Sequence, residues 1–345
     1  MSIDIHTHFL PRTWPDLAAR FGTPDWPWMR HGPGGQAMLM VGEREFRPVS
    51  QACWDARTRI EHMDRDGVEV QIMCATPLLF AYQRPAAQAL DCARLFNDAA
   101  LEICAHAPRR LKSLCQVPLQ DTALACRELS RAMDDGHIGV HIGNHVGLRE
   151  MSDEGILTFL RHCAQEGAAV FVHPWDMMAQ ERMPRYQLPW LVAMPAETQL
   201  SILWLILSGA FERLPRSLKL CFAHGGGSFP YLLGRVDNAW RNRDIVREDC
   251  PHPPSSYLDR FSVDGAVFSH DALEFLVRTM GEDRVMLGSD YPYPLGEQHV
   301  GSLVQSHPTL AAGTRAKLLH SNAAAFFGLE TGQPARAGSN ARLSV

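Results

Sequence analysis

The sequence lacks the features that would place the chain in a membrane or on nucleic acid. Its longest apolar run, around residues 202–207, is far shorter than the ~20 residues that span a bilayer. Charges of both signs are interspersed, the net charge is −5, and there is no basic run. We therefore expect no membrane or nucleic-acid partner and predict a small-molecule ligand.

The sequence also lacks a disulfide framework. Its nine cysteines form no CxxC pair and no even spacing, and most lie inside apolar runs. Cysteines of this kind are typical of reduced core residues in a cytosolic protein. The chain passes directly from Met1 into a predicted strand, so we expect no signal peptide and a cytoplasmic location.

Strands and helices alternate along the chain. Hydrophobic patterns predict eight strands, each followed by a helix, near residues 3–9, 68–74, 111–117, 138–142, 168–172, 218–223, 261–264 and 284–288. This alternation predicts an α/β protein of the (β/α)8 TIM-barrel type, with a doubly wound open sheet as the alternative. No GxGxxG follows the first strand, which weakens the dinucleotide-binding form of that alternative.

One segment interrupts the alternation. Residues 11–52 are rich in Pro, Gly and Trp and include a possible hairpin over 38–47 that turns at Gly42-Glu43. We interpret it as a small insertion after the first strand. The predicted domain is then a barrel over residues 1–330, with the insertion at about 11–52 and a C-terminal tail at 331–345.

The first strand carries two histidines that project together. Ile3 and Ile5 alternate with polar residues, and residues two apart on a strand point to the same side. His6 and His8 could therefore form half of a transition-metal site. The alternative is a strand with two polar residues whose hydrogen bonds are satisfied within the fold.

Three later strands also end in polar residues of metal-binding type. His173 follows the fifth strand and Asp290 follows the eighth. His224 follows the sixth strand and precedes three glycines. Active sites of TIM barrels lie at these carboxyl ends. Three histidines and a carboxylate describe a catalytic divalent metal site, for which we predict zinc, and the remaining histidine would suit proton transfer.

Five motifs carry a resemblance to a known family, namely IDIHTHFLP, HPWDMM, PWLVAMPAET, FAHGGGSFPYLLGR and GSDYPYPLGE. Over residues 2–329 the chain resembles the amidohydrolase superfamily and, within it, the 2-amino-3-carboxymuconate 6-semialdehyde decarboxylases of tryptophan (kynurenine) and nitrobenzoate catabolism. The resemblance implies zinc-dependent, non-oxidative loss of CO2 from this small dicarboxylate, which gives 2-aminomuconate 6-semialdehyde.

The resemblance also implies the roles of individual residues at the metal. His6, His8, His173 and Asp290 would hold one Zn²⁺ per subunit, and His224 would be the catalytic residue that activates a metal-bound water.

Further roles implied by the resemblance concern the substrate. Arg47 would bind a substrate carboxylate, and Trp190 would form a pocket wall. Arg235 would reach the neighbouring subunit's active site, which implies a homodimer. Tyr293 stands where the family has Phe, so a hydroxyl near the pocket would alter substrate fit. The alternative for both arginines is a solvated surface charge.

Lysine is scarce, which bears on the number of metals. Only three of the 33 basic residues are lysines, and none lies on the predicted fourth or fifth strand. Many binuclear members of the superfamily bridge two metals with a carboxylated lysine at a strand end. Lys219 lies five residues before His224, near the opposite end of its strand, so we predict a mononuclear site.

Three other functions remain open from the sequence. The chain could decarboxylate an aromatic acid such as a resorcylate, or it could be a metal-dependent lactonase or amidohydrolase. It could also be a metal-binding barrel without catalysis. Arg47 distinguishes a decarboxylase from the lactonase alternative, because decarboxylation needs an anion anchor there and a neutral lactone does not.

Overall fold

The computed structural model describes residues 1–330, and the predicted tail at 331–345 lies outside the described residues. The strands are β1 (Ser2–Phe9), β2 (Pro27–His31), β3 (Gln36–Val41), β4 (Arg44–Ser50), β5 (Val68–Ala75), β6 (Leu111–Ser113), β7 (Gly139–Gly143), β8 (Ala169–His173), β9 (Lys219–Phe222), β10 (Ser262–Asp264) and β11 (Val285–Met286). The helices are α1 (Leu17–Phe21), α2 (Ala56–Asp66), α3 (Ala86–Ala105), α4 (Thr122–Asp134), α5 (Glu154–Gln165), α6 (Met194–Leu207), α7 (Ala210–Arg213), α8 (Phe229–Asn242), α9 (Asp244–Arg247), α10 (His270–Met280), α11 (Ser302–Gln305), α12 (Ala312–Ala316) and α13 (Asn322–Phe327).

Eight strands form two parallel sheets, in the orders β1-β5-β6 and β11-β10-β9-β8-β7. Backbone pairing joins both edges of the smaller sheet to the larger one. Cys115, just after β6, pairs with Val140 of β7, and the Ile5 amide of β1 donates to the Leu287 carbonyl 3.0 Å away. Because the strands are parallel, their carboxyl ends lie on one side of the molecule. The mixed α/β fold with parallel sheets agrees with the predicted α/β class.

The parallel strands are buried on both faces, as expected where helices cover a parallel sheet. All five residues of β8 are buried, as are all eight of β1. This explains why the strands appear in the sequence as nearly continuous apolar runs and why polar residues within them stand out.

Aspartates cap the N-termini of three helices. Asp55 accepts a hydrogen bond from the Thr58 amide (2.7 Å) and so caps α2, while Asp121 and Asp153 cap α4 and α5 in the same way. These side chains satisfy amide groups that have no partner within the first helical turn. α2 ends at Gly67, whose φ of +68° suits glycine.

The segment after β1 forms a separate antiparallel sheet in the order β2-β3-β4. The predicted hairpin is confirmed, because β3 and β4 pair around the turn at Gly42-Glu43. β2 was not predicted, because most of its side chains are exposed or half-buried and it shows no apolar alternation.

The apolar residues 196–211 do not form one continuous helix. Gly209, with φ of +66°, separates α6 from α7, and a π-helical turn, Pro189–Ala193, extends α6 towards its N-terminus. The resulting helix, Pro189–Leu207, has 19 residues and a mean hydropathy of 1.4, enough in length and composition to cross a membrane. Ile202 and Leu205 of this helix belong to the main hydrophobic core. A core helix of a globular protein can have the same length and hydropathy as a membrane-spanning helix.

Candidate active site

The four predicted metal ligands converge at the carboxyl ends of the parallel strands. One ligand atom each from His6, His8, His173 and Asp290 lies within 4.8 Å of the other three. His6 Nε2 is 3.1 Å from His8 Nε2, and His8 Nε2 is 3.0 Å from Asp290 Oδ1. Two residues of one strand, one of a second and one of a loop thus point to a single position.

Hydrogen bonds orient two of these imidazoles. His6 donates from Nδ1 to Asp264 Oδ2 (2.7 Å), and His173 donates from Nδ1 to the Pro174 carbonyl (2.7 Å). In the neutral imidazole, each bond leaves Nε2 unprotonated and directed at the shared position, as in metal-binding histidines. His8 Nδ1 is buried and has no partner among the described residues.

The charge states of these groups also suit a metal. Burial lowers the pKa of His8 to about 4 and that of His173 well below its usual range, so both keep a lone pair for a metal. Burial opposes ionisation of Asp290, but the hydrogen bond from His8 and the nearby imidazoles lower its pKa below the usual range. At His6, burial is outweighed by the hydrogen bond and charge of Asp264, which raise the pKa. The donor set of three nitrogens and one carboxylate fits a catalytic transition-metal site.

The arrangement of lysines is consistent with one metal. Lys219 is the first residue of β9, at the opposite end of that strand from His224. β7 and β8 contain no lysine that could bridge two ions.

His224 lies beside the four ligands but is not one of the converging atoms. Its ring centroid is 5.1 Å from that of His6 and 4.9 Å from that of His173. The residue has φ of +55° and begins a turn in which a side chain at Gly227 would lie 2.3 Å from the Pro195 carbonyl oxygen. Burial lowers the pKa of His224, and its Nδ1 has no hydrogen-bond partner among the described residues. A neutral imidazole with a free nitrogen can accept or donate a proton here.

Arg47, Trp190 and Tyr293 lie together on another side of the ligands. The Arg47 guanidinium carbon is 4.6 Å from the ring centre of Tyr293 and 5.8 Å from that of Trp190. The Tyr293 ring is 5.2 Å from that of His8, which connects this group to the ligands. Within residues 1–330, Arg47 has no carboxylate partner, so its hydrogen-bonding groups remain available for an anion.

The Tyr293 hydroxyl forms a hydrogen bond with Thr76 Oγ1 in the loop after β5. The ring is 7% exposed. The extra oxygen expected from the sequence therefore has a partner in the protein, and the ring face is what Tyr293 presents to Arg47.

Arg235 is not joined to the other predicted residues. It lies on the exposed face of α8, and no hydrogen bond, ion pair or π contact links it to them within the described chain. Tyr231, one turn earlier on the same helix, is 80% exposed.

Two buried residues near the ligands were missed by the sequence analysis. Asp264 ends β10 and accepts a hydrogen bond from His6 Nδ1, and the rule that identified the other strand ends could have found it. His141 lies within β7, its ring centroid 5.6 Å from that of His173, and neither of its nitrogens has a hydrogen-bond partner among the described residues. Burial lowers the pKa of His141 well below its usual range. Its mid-strand position gave no signal, because only strand ends were considered.

Comparison with known proteins defines the class. The amidohydrolase family profile matches residues 3–329. A crystal structure of a dihydroxybenzoic acid decarboxylase from a Polaromonas species, with bound manganese and the inhibitor 2-nitroresorcinol, has a TM-score of 0.76 at 23% identity. That similarity covers 96% of this chain and 98% of the other and shows a shared fold. The chain belongs to the amidohydrolase family.

Nearer relatives carry one particular name. The 2-amino-3-carboxymuconate-6-semialdehyde decarboxylase of Dictyostelium discoideum is 40% identical, over 96% of this chain and 92% of that protein. The protein of the same name from Caenorhabditis elegans is 32% identical, over 93% of this chain and 92% of that protein. The resemblance inferred from the sequence motifs is thereby confirmed.

Proposed function

We propose that the chain catalyses the zinc-dependent, non-oxidative decarboxylation of 2-amino-3-carboxymuconate 6-semialdehyde to 2-aminomuconate 6-semialdehyde and CO2. One observation carries the proposal. A three-histidine, one-carboxylate cluster lies beside His224 in a chain that is 40% identical to a decarboxylase of that substrate.

His6, His8, His173 and Asp290 would hold the metal, one ion per subunit. When bound, zinc would act as a Lewis acid and lower the pKa of a water ligand to ~7. Zinc is favoured because imidazole nitrogens dominate the donor set. Manganese, which occurs in the dihydroxybenzoic acid decarboxylase, is the alternative ion.

The protein side chains would bind the substrate and move a proton. The Arg47 guanidinium would bind one carboxylate through two parallel N–H groups, while Trp190 and Tyr293 flank it. As CO2 leaves, the electron pair of the broken bond stays on carbon, which must then receive a proton. His224 would hold and transfer that proton, since its Nδ1 has no partner within the described residues.

We further propose a homodimer in which Arg235 enters the neighbouring active site. Arg235 lies on the exposed face of α8 next to Tyr231. The neighbouring α6 is preceded by Leu191 and Val192, which are 57% and 54% exposed. Apolar surface around an arginine is typical of protein interfaces. An arginine supplied by the second subunit would bind the second substrate carboxylate.

The architecture we infer is one (β/α)8 barrel domain over residues 1–330. Backbone pairing joins each edge of the smaller parallel sheet to an edge of the larger one, which supports closure of the barrel. The antiparallel sheet β2-β3-β4 would be the small insertion, and it contributes Arg47. We also propose that the protein is cytoplasmic, since its nine cysteines are free.

A spectrophotometric assay tests the function. The substrate is generated enzymatically from 3-hydroxyanthranilate, and its decay is compared in the presence of zinc-loaded protein, chelated protein and no protein. We expect rapid, metal-dependent decay with CO2 release. Decay at the spontaneous rate would refute the proposed substrate. A parallel panel of 2,6-dihydroxybenzoate and a neutral lactone would then distinguish an aromatic-acid decarboxylase from a hydrolase.

A further inference from the structure

Asp264 is a completely buried carboxylate that contacts two parts of the candidate active site. Its Oδ2 accepts a hydrogen bond from His6 Nδ1 at 2.7 Å. Its Oδ1 accepts from the amides of Gly225 (2.9 Å) and Ala266 (3.1 Å). No lysine or arginine forms an ion pair with it among residues 1–330. Its charge is therefore stabilised by one imidazole and two amides.

These contacts link the metal ligands to the proton-transfer residue. His6 is a proposed metal ligand, and Gly225 directly follows His224. His224 has a φ of +55°, a backbone conformation that is unfavourable for a residue with a side chain, so the turn needs support from its surroundings to keep it. The hydrogen bond from Gly225 to Asp264 supplies such support.

We propose that Asp264 is a positioning residue that sets the tautomer of His6 and holds the His224 turn against the metal site. The inference rests on the proposed function. By accepting a hydrogen bond from Nδ1, Asp264 keeps the His6 proton on that nitrogen and leaves Nε2 free for the metal. By accepting from Gly225, it fixes the backbone that carries His224. One carboxylate thereby sets the position of His224 relative to the metal.

The packing around this pair shows how closely its geometry is fixed. A Cβ at Gly288 would lie 2.7 Å from Asp264 Cβ and 2.9 Å from His6 Cβ. Only glycine leaves room for the two side chains to meet. Gly288→Ala should therefore push apart the same pair without removing any hydrogen-bonding group.

Substitution by asparagine separates the two roles of Asp264. The amide oxygen of the asparagine can still accept hydrogen bonds from Gly225 and Ala266. Its NH2 group then faces His6 and cannot accept a hydrogen bond from Nδ1. His6 would be driven to the tautomer whose proton lies on Nε2, where the metal should bind. Asp264→Ala removes both roles and leaves two buried amides without an acceptor.

Asp4 provides a matched control in the same buried region. It is also completely buried, and it accepts from the amides of His6 (3.3 Å) and Ser289 (3.1 Å) and from the Ser289 hydroxyl. An asparagine there can keep both amide bonds and donate to the hydroxyl. Asp4→Asn should therefore retain the metal affinity of the wild type.

The experiment measures metal affinity and turnover on the purified full-length chain. Zn²⁺ and Co²⁺ are titrated against a competing chelator, Co²⁺ absorption reports the ligand geometry, and thermal unfolding reports folding. For Asp264→Asn we expect metal affinity to fall about 10–100-fold, as for other residues that orient metal ligands. For Asp264→Ala we expect a further loss of kcat that saturating Zn²⁺ does not restore, with KM little changed.

Wild-type metal affinity in Asp264→Asn would overturn the tautomer role, and wild-type kcat in Asp264→Ala at saturating Zn²⁺ would overturn the role in the turn. If Asp264→Asn does not fold, Asp264→Ala answers the first question, because it also removes the acceptor of the His6 Nδ1 hydrogen bond and should weaken metal binding. The affinity measurement needs no substrate. A wild-type protein that binds Zn²⁺ but does not decarboxylate would refute the proposed function and, with it, the role of Asp264 in the turn, whereas the tautomer role would still be decided by the metal affinities.

Discussion

The two sides of the candidate active site are held in different ways. His6, His8 and His173 extend from parallel strands, and none is more than 4% exposed. Arg47 extends from the antiparallel strand β4, is half-buried, and packs against aromatic rings without a carboxylate partner in the described chain. The first side is fixed by strand pairing and buried hydrogen bonds. The second is fixed by looser stacking of side chains.

This difference indicates a division of labour between the two sides. Buried ligands on paired strands keep one geometry, which a metal requires. A guanidinium stacked on ring faces keeps its N–H groups free and can adjust to the anion it binds. Changes on the metal side should therefore abolish activity, and changes on the Arg47 side should alter substrate binding.

The largest effect is expected from breaking the metal side at His8. His8→Ala removes one of four donors and should reduce metal content and lower kcat/KM by more than about 100-fold, since residues that merely orient ligands cost about 10–100-fold. Metal analysis and the decarboxylation assay measure both effects. The control His299→Ala changes a histidine that is 72% exposed and should behave as wild type. Full metal content in His8→Ala would contradict the ligand assignment.

The next largest effect is expected at His224, beside the metal ligands. Its replacement should lower kcat by about 10²–10⁴-fold, the usual contribution of a proton-transfer group, while the metal stays bound. Both His224→Ala and His224→Asn should be made, because asparagine tolerates the positive φ at this position. Metal analysis alongside kcat separates loss of chemistry from loss of metal. An active His224→Ala enzyme with bound metal would rule out this role.

A smaller effect, on substrate binding, is expected on the Arg47 side. Arg47→Met keeps an apolar side chain of similar length but removes the guanidinium, and a hydrogen bond to a charged group contributes about 1.5–3 kcal/mol. KM should therefore rise about 10–150-fold while metal content is unchanged. Arg30→Met, on the same antiparallel sheet, is the control, because Arg30 forms an exposed ion pair with Glu45. Equal KM values for the two variants would show that Arg47 does not bind the substrate.

The smallest effect is expected at Tyr293, where the two sides meet. Tyr293→Phe removes the hydrogen bond to Thr76 and should lower the free energy of unfolding by about 0.5–1.5 kcal/mol. KM should stay within about threefold, or about 0.7 kcal/mol, because the ring face remains beside Arg47. Denaturant unfolding and steady-state kinetics measure the two quantities. A large shift in KM, absent in Thr76→Val, would place the hydroxyl on the substrate instead.

The metal side could be predicted from sequence because its signals are local. The spacing of His6 and His8 places both side chains on one face of a strand, and His173 and Asp290 each end or follow an apolar run. Parallel strands then bring their carboxyl ends together without further information. The aspartate caps of α2, α4 and α5 were predictable for the same reason, since a cap depends on residues within one helical turn.

Other features depend on residues that are distant in the chain, and only the tertiary structure decides them. Asp264 reaches His6 across 258 positions of sequence, and Tyr293 bonds Thr76 across 217. β2 exists because a neighbouring strand pairs with it, although its own side chains show no strand pattern. The sequence by itself determined which residue types stand at the strand ends, because side-chain direction along a strand has a fixed period. The tertiary structure decided which buried carboxylate orients His6 and which rings flank Arg47, because those contacts depend on how separate elements pack.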